Sequence, residues 1–487
     1  MRVVVIGAGA TGLGVAWDLT LRGIEVIVLE AQEVGAGTSG RFHGLLHSGG
    51  RYLVTDPSAA KECYQENMLL RDIASEAVVV TGGYFVKKYG DDDVFESDWL
   101  NQAEKLGVPV HPVSVGDLRR EMEMLTEQIE RSYWVPDGVL EGFKMLAMLV
   151  QAIQSRGSQL LEHTKATGLR LEGDRVSGVE VEERSGGTRV IDCDAVVNTA
   201  GPWAGLVARD WGLDIKVQPS YGLMLIFANR RLDKVVNRLK SPSDGDIFVP
   251  HQEVVILGTT DVAQPSPEAP LPRRSEAVRL MELGTELIPD LGSWRVLRGF
   301  NGVRPLYEPS GITGDSRTVS RDFAVLDHSE QDGLLGAFSV LGGKWTTFRL
   351  MGETLGNQLA KTLNVDSPGR SREIAIDARA TRPVTGAVGD RGALLCECEQ
   401  VYEADIEQTA SSAMQRRFGT WFSMGPCQGT FCAHRVLGRG SEESFTQELT
   451  TLRREREHGL VAVGWGANAR LIALEQSIAA QSLGEEL

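Results

Sequence analysis

Cysteine is scarce in this chain, six in 487 residues, which excludes a disulfide-stapled secreted scaffold and fits a reducing cytoplasm. No run of about 18 apolar residues occurs, which predicts that the chain has no transmembrane segment of its own. The best candidate, 139–153, is broken by Glu141 and Lys144. No secretory leader is expected either, since only Met1 and Arg2 precede the apolar run Val3–Ile6. Positive charge is in deficit, 50 Lys and Arg against 66 Asp and Glu for a formal net charge of -16. Such a surface repels phosphate backbones, so nucleic acid is excluded as a partner. Any anion bound here must be met by cations concentrated locally. The length exceeds what one core supports and predicts two or three domains. Hydrophobic content of 42% and charged content of 24% are those of a soluble globule.

What is present begins at the amino terminus. Val3–Ile6 reads as a strand buried on both faces, followed by Gly7-Ala8-Gly9-Ala10-Thr11-Gly12 and a helix from Leu13 to Arg22 that stops at Gly23. A second strand, Glu25–Leu29, ends at Glu30 and Ala31. This is the dinucleotide-binding order. One glycine makes the turn, the next admits a pyrophosphate, the third lets helix and strand pack, and the acid takes ribose hydroxyls. The glycine-rich stretch from Gly35 suits an extended segment beneath a long ligand, with Thr38 and Ser39 offering hydroxyls. Arg175–Asn198 reads as a β-meander ending in Thr199-Ala200-Gly201-Pro202-Trp203, whose small residues permit close backbone approach. One domain thus returns after a long interval, which a simple NAD domain seldom does.

Four cysteines sit in the last quarter as Cys396-x-Cys398 and Cys427-x4-Cys432, with 28 residues between the pairs. Four thiolates suit zinc or an iron–sulfur cluster, and unliganded thiols are the third reading. Tight Cys-x-Cys spacing and the neighbouring Gly425 and Gly429 favour a cluster, because glycine lets backbone N–H groups approach inorganic sulfide. His434 reads as a neighbour of this site rather than a ligand. Cys63 and Cys193 read as small hydrophobes.

These residues, together with His43-Gly44-Leu-Leu46-His47-Ser-Gly-Gly-Arg51-Tyr, Leu257-Gly-Thr-Thr260-Asp261, Gly302-Val-Arg304-Pro-Leu and Gly342-Gly343-Lys344-Trp-Thr346-Thr-Phe-Arg349, resemble the FAD-dependent glycerol-3-phosphate dehydrogenases. Nearly end to end, the chain is similar to the catalytic A chain of the anaerobic, quinone-linked form. Its tail is similar to the [2Fe-2S] module of a bacterioferritin-associated ferredoxin. The resemblance implies an α/β, FAD-binding Rossmann-type domain like those of glutathione reductase and D-amino-acid oxidase, a β-rich substrate domain, and a small [2Fe-2S] module. Expected boundaries are 1–362 for the oxidoreductase, 363–392 for a linker, and 393–487 for the module and tail. Within the oxidoreductase, residues 1–80, 145–215 and 320–362 would bind flavin, and residues 81–144 and 216–319 would cover the substrate. Glu253–Gly258 and Phe323–Leu326 are expected in the substrate-capping sheet. The charge run beginning at Arg453 is expected on a solvated helix face.

The resemblance also implies site residues. The cofactor would be FAD, held by the glycine loop and by His43, Gly44, Leu46, Ala166, Thr199, Ala200, Gly201, Trp203, Gly343, Lys344 and Thr346. Arg51, Arg304 and Lys344 would form a cation cluster for a phosphorylated polyol, since guanidinium forks pair with phosphate oxygens. Arg304 or Lys344 would stabilise a developing alkoxide. His47 is the best base by side-chain chemistry, or else packs under the flavin. Thr259, Thr260 and Asp261 line the pocket or close a turn. Cys396, Cys398, Cys427 and Cys432 would hold the cluster. Implied partners are a second flavoprotein and a membrane-associated iron–sulfur protein of the same complex, with quinone as final acceptor at the inner face of the cell membrane. Tyr221-Gly222-Leu223-Met224 stands where relatives usually read Lys-Gly-Ser, on a strand bordering the substrate pocket, and Phe42 replaces a polar residue. Another hydroxy acid or an amino acid is therefore the alternative substrate.

Overall fold

The computed structural model describes residues 1–307, 322–376, 391–407 and 412–484, apart from the side chain of Ala467. Strand Arg2–Ile6 lies inside a six-stranded sheet, parallel to Glu25–Leu29 on one side and Ala195–Asn198 on the other. Gln159–Leu161 and Ala337–Gly342 extend the parallel run. Side chains alternate along the strand, so Val3 and Val5 enter a helical layer while Val4 and Ile6 enter the opposite core. Helices Ala10–Leu21, Gly142–Gln154 and Phe348–Thr362 make that layer. The antiparallel meander Thr164–Glu172, Arg175–Glu183 and Thr188–Asp192 covers the other face through Val176, Val179, Val181 and Ile191.

Phe323–Asp327 lies in the 320–362 stretch expected to bind flavin, and although Phe323–Leu326 is also expected in the capping sheet, the strand pairs antiparallel with Ala337–Gly342 at the edge of the flavin-domain sheet. A five-residue apolar run identifies a strand without saying which sheet it joins. A second, nine-stranded sheet carries Val254–Gly258, within the expected 253–258, and is dominated by two long strands, Val217–Ala228 and Val296–Tyr307, paired antiparallel with Ser220 opposite Arg304. Its core centres on Phe227, Phe248, Leu257 and Leu280.

Of the expected linker, 377–390 lies outside the described residues. The stretch before it is packed: Ser371 is fully buried and donates to Asp18 at 2.8 Å, and Ile376 N–H donates to Ile73 O at 2.7 Å. The carboxy-terminal region has its own small core of Leu395, Val401, Phe422, Val436 and Leu449. Helix Glu442–Leu460 leaves it and lies along Val296–Tyr307, so closely that a Cβ on Gly459 would stand 2.7 Å from Gly299 O. Leu460, Ala462 and Val463 then complete the core of the nine-stranded sheet. The charge run on this helix is only partly solvated. Arg454 is exposed, whereas Arg456 turns inward to donate to Gln428 O at 2.8 Å. Among the described residues, no helix is long and apolar enough to cross a membrane.

Candidate active site and cysteine cradle

A cleft of about 970 Å³ opens where strands Arg2–Ile6, Glu25–Leu29 and Ala195–Asn198 end, the ligand-binding edge of open α/β sheets. Gly7 takes φ +105°, and a Cβ on Gly12 would stand 1.9 Å from Gly7 O. Only hydrogen fits there, so helix and strand meet backbone to backbone. At Gly9 the sole near neighbour is the Ser39 side chain, which leaves the loop open to the cleft. The Glu30 carboxylate accepts from Ala8 N–H and Gln32 N–H, both at 2.9 Å. Burial raises its pKa, and these two bonds oppose the rise. Ser39 Oγ accepts from Ala10 N–H at 2.8 Å, at the start of the helix, and the Thr38 hydroxyl donates to Val303 O.

Thr11, Ala31, His43, Ala166, Thr199, Ala200, Gly201, Trp203, Gly343 and Lys344 also line this cleft. Ala8, Gly12, Gly44, Leu46 and Thr346 stand behind its wall. Thr346 Oγ1 accepts from His47 N–H at 3.2 Å, Leu46 O accepts from Asn67, and a Cβ on Gly44 would meet the His251 ring. Two wall elements escaped sequence reasoning. Trp345 donates to Ser39 O at 2.9 Å, and its place inside the Gly342–Arg349 motif was the available signal. Glu268 accepts from Trp203 Nε1 at 3.0 Å across 65 residues of sequence, with no local signature.

A second cavity of about 240 Å³ shares Thr38, His43, His47, Gly343 and Lys344 with the cleft, so the two adjoin. Arg51, Arg304 and Lys344 all line it. Arg51 is steadied by buried Asp246 at 3.1 Å, and Asp246 also accepts from Ser243 N–H at 2.9 Å. Arg304 lies 3.4 Å from Asp261, donates to Thr260 O at 3.1 Å and bonds the Thr259 hydroxyl. The Lys344 ammonium stands 5.2 Å from the Tyr52 ring centre, and the His47 ring is 5.3 Å from that ring and 5.9 Å from His43. His43 Nδ1 accepts from Leu45 N–H at 3.0 Å, which leaves its neutral-state proton on Nε2. Burial, then Arg51 and Arg304, draw His43 down to about 3. Burial, His43, Arg51 and Lys344 hold His47 well below its ordinary value. Both imidazoles are therefore neutral at pH 7.

Thr259 and Asp261 reach the cavity wall. Thr260 does not: its hydroxyl accepts from Leu223 N–H at 2.9 Å, and it is 2% exposed. Its role is to hold Arg304 through its carbonyl. In the divergent segment, strand alternation places Gly222 and Met224 on the cavity. Tyr221 bonds Glu276 at 2.9 Å and Leu223 enters the sheet core. Gly222 has no room for a side chain, since a Cβ would stand 2.5 Å from an Arg304 nitrogen.

The four tail cysteines face one another as free thiols. Cys396 and Cys427 hydrogen-bond to Cys432, and Cys398 to Cys427. The bond from Cys432, aided by Gly429 and Phe431 N–H, draws Cys427 down to about 5. The bond from Cys432, with Glu399 and Ser423 N–H, takes Cys396 to about 7. Burial pushes Cys398 up to about 11, and its bonds to Cys396 and Cys427 push Cys432 up. Among the described residues, no group of three or more His, Cys, Asp or Glu side chains stands in a metal-holding arrangement. The donor chemistry nonetheless fits a thiolate-bound centre, with backbone N–H groups aimed at sulfur. His434 is turned to Ser482 at 2.7 Å. Cys63 and Cys193 are buried well away, each with its thiol raised to about 12 by burial.

Residues 2–357 match the FAD dependent oxidoreductase family. The chain is 35% identical to the A1 chain of the anaerobic glycerol-3-phosphate dehydrogenase of Haloferax volcanii, over 99% of this chain and 91% of that protein. It is 34% identical to the A chain of the anaerobic glycerol-3-phosphate dehydrogenase of Escherichia coli, over 95% and 93%. Among solved structures, the glycerol-3-phosphate dehydrogenase of Bacillus halodurans, complexed with FAD, superposes with a TM-score of 0.64 at 17% identity, covering 99% of this chain and 95% of that one. At that identity the likeness speaks for the fold alone.

Proposed function

Since the chain belongs to the FAD-dependent oxidoreductase family, and within it to the catalytic A chains of the anaerobic glycerol-3-phosphate dehydrogenases, we propose that it oxidises sn-glycerol 3-phosphate to dihydroxyacetone phosphate. The observation that carries this reading is the convergence of Arg51, Arg304 and Lys344 on one small cavity that opens into the cofactor cleft. In a chain of net charge -16, three cations around about 240 Å³ mark a place for an anionic substrate.

The reaction removes a hydride from C2 and a proton from its hydroxyl. FAD, when bound in the cleft, supplies the two-electron acceptor. Arg51, oriented by Asp246, and Lys344 hold the phosphate. Arg304, oriented by Asp261 and the Thr260 carbonyl, meets the oxygen on which charge develops. His47 accepts the hydroxyl proton. It is neutral and so able to do this, and its basicity rises when the phosphate neutralises Arg51 and Lys344, two of the groups that hold it low. Of the side chains that depart from the family pattern, Tyr221 and Leu223 face away from this cavity whereas Phe42 and Met224 line it, so the preference for the phosphorylated substrate over the hydroxy acid or amino acid alternative rests on the three cations.

The four cysteines are assigned to a [2Fe-2S] cluster. Their convergence and the N–H groups aimed at Cys427 and Cys396 support this. A cluster held there would supply one-electron transfer, and this reading carries with it a second flavoprotein and a membrane-associated iron–sulfur protein as partners and quinone as final acceptor, with the complex at the inner face of the cell membrane. The test is anaerobic. Glycerol 3-phosphate should bleach the flavin absorbance of the purified protein where hydroxy acids and amino acids do not, and analysis should give about two irons and two sulfides per chain. Bleaching by an amino acid alone would overturn the substrate. Stoichiometric zinc without acid-labile sulfide would overturn the cluster.

A further inference from the structure

A third cavity, of about 400 Å³, lies between the carboxy-terminal module and the dehydrogenase body. Its walls are aromatic: Phe143 stacks on Phe418 with centroids 4.3 Å apart and planes 10° apart, and Trp421 lies 4.8 Å from His251 and 5.5 Å from Phe143. Arg417 and Arg298 also line it. Arg417 is 4% exposed, its Nε has no hydrogen-bond partner, and no carboxylate reaches it within ion-pair distance among the described residues. Among the described residues Arg298 has one ion-pair partner, Glu455 at 3.9 Å, its guanidinium lies 6.0 Å from the Phe300 ring centre, and its Nε is likewise unpartnered. Arg41 and Arg454 add positive charge at the wall, against Glu33, Glu399 and Glu455. A buried guanidinium without a counter-charge is among the costliest arrangements a protein can hold. Burial and the nearby Arg298 draw Arg417 down to about 9, against the smaller opposing effect of Glu455.

We infer that this cavity is a second ligand site, for a small organic anion that joins a carboxylate or phosphate monoester to an aromatic body. The anion end pairs with the guanidinium groups of Arg417 and Arg298. The aromatic end lies among Phe143, Phe418 and Trp421. Because the walls come from both the module and the body, a bound ligand ties the two together.

The competing source of negative charge is the cysteine site, whose Cys432 is an electrostatic neighbour of Arg417. The test therefore uses the full-length protein with its metal centre loaded, titrated calorimetrically with phenyl phosphate, benzoate and inorganic phosphate. Phenyl phosphate and benzoate should bind, and more tightly than inorganic phosphate. Arg417→Met and Arg298→Met should each weaken that binding by about tenfold or more, whereas Arg51→Ala, which alters the substrate cavity, should leave it in place. The assignment is overturned if none of the three anions binds, if both Met variants bind as the parent does, if Arg51→Ala abolishes binding, or if inorganic phosphate binds as tightly as phenyl phosphate.

Discussion

In the cofactor cleft the decisive contacts run from main chain to main chain, as where a Cβ on Gly12 would stand 1.9 Å from Gly7 O or one on Gly7 would stand 2.8 Å from Thr199 O. Those contacts exist whether or not a ligand is present. In the cysteine cradle the contacts run from thiol to thiol, through hydrogens that a metal centre must displace. The first site is built by packing and receives its ligand; the second is completed by its ligand. Loading the cradle must therefore release protons and depend on pH, with Cys398 and Cys432, the thiols raised above their ordinary values, as the resisting members. Loading the cleft need not.

Breaking this comparison is easiest at Gly12. Gly12→Val drives a side chain into the Gly7 carbonyl and should abolish flavin binding, with a stability loss beyond about 3 kcal/mol; flavin absorbance after purification and a melting curve report both. The complementary change is Cys398→Ser. It should empty the cradle of iron and sulfide while flavin stoichiometry stays at the parent level, and joint loss would mean that the two sites are not separately built. Within the substrate cavity, Arg304→Ala should lower kcat by a factor of order 10²–10³, as for a lost charge-stabilising donor. Asp246→Asn should raise KM by only about tenfold, because Arg51 stays and merely loses its anchor. If the two variants behave alike in steady-state kinetics, the division between reacting and anchoring groups fails.

A subtler effect concerns the buried imidazoles. His43 is held at about 3 and His47 well below its ordinary value, while unfolded histidine titrates near 6.5. As pH falls below about 6.5, the unfolded chain gains protons that the folded cavity refuses. Stability should then fall by up to about 1.4 kcal/mol per pH unit for each imidazole. His43→Asn should flatten the slope of melting temperature between pH 7 and 5. The smallest effect should be that of Tyr221→Phe, a loss of about 1 kcal/mol for one hydrogen bond with KM unchanged, since that hydroxyl points to Glu276 and not to the substrate.

Much of this was legible in the sequence because it is local. The strand, glycine loop, helix and terminal acid follow one another within 30 residues, and the apolar run at Val3–Ile6 announced burial on both faces. Arg51, Arg304 and Lys344 were legible as cations among glycine and turn residues, and the structure brings all three to one cavity. The illegible features are those fixed by distant pairing. Asp246 meets Arg51 from 195 residues away, and nothing near either marks the contact. Thr260 sat beside two cavity-lining residues, yet strand geometry turned its hydroxyl inward to Leu223. The sheet joined by Phe323–Asp327 depended on its partner at Ala337–Gly342, which no propensity of its own could state.

The placement of Leu460, Ala462 and Val463 in the same core as Phe248 and Leu280 bears on how the molecule is made. Domains commonly fold while the ribosome is still working, amino-terminal regions first. Here the substrate sheet remains open along one side until residues 460–463 have been synthesised. A dehydrogenase that ended before its cysteine-bearing region would thus emerge with an uncovered apolar seam, vulnerable to proteases and to association with other chains.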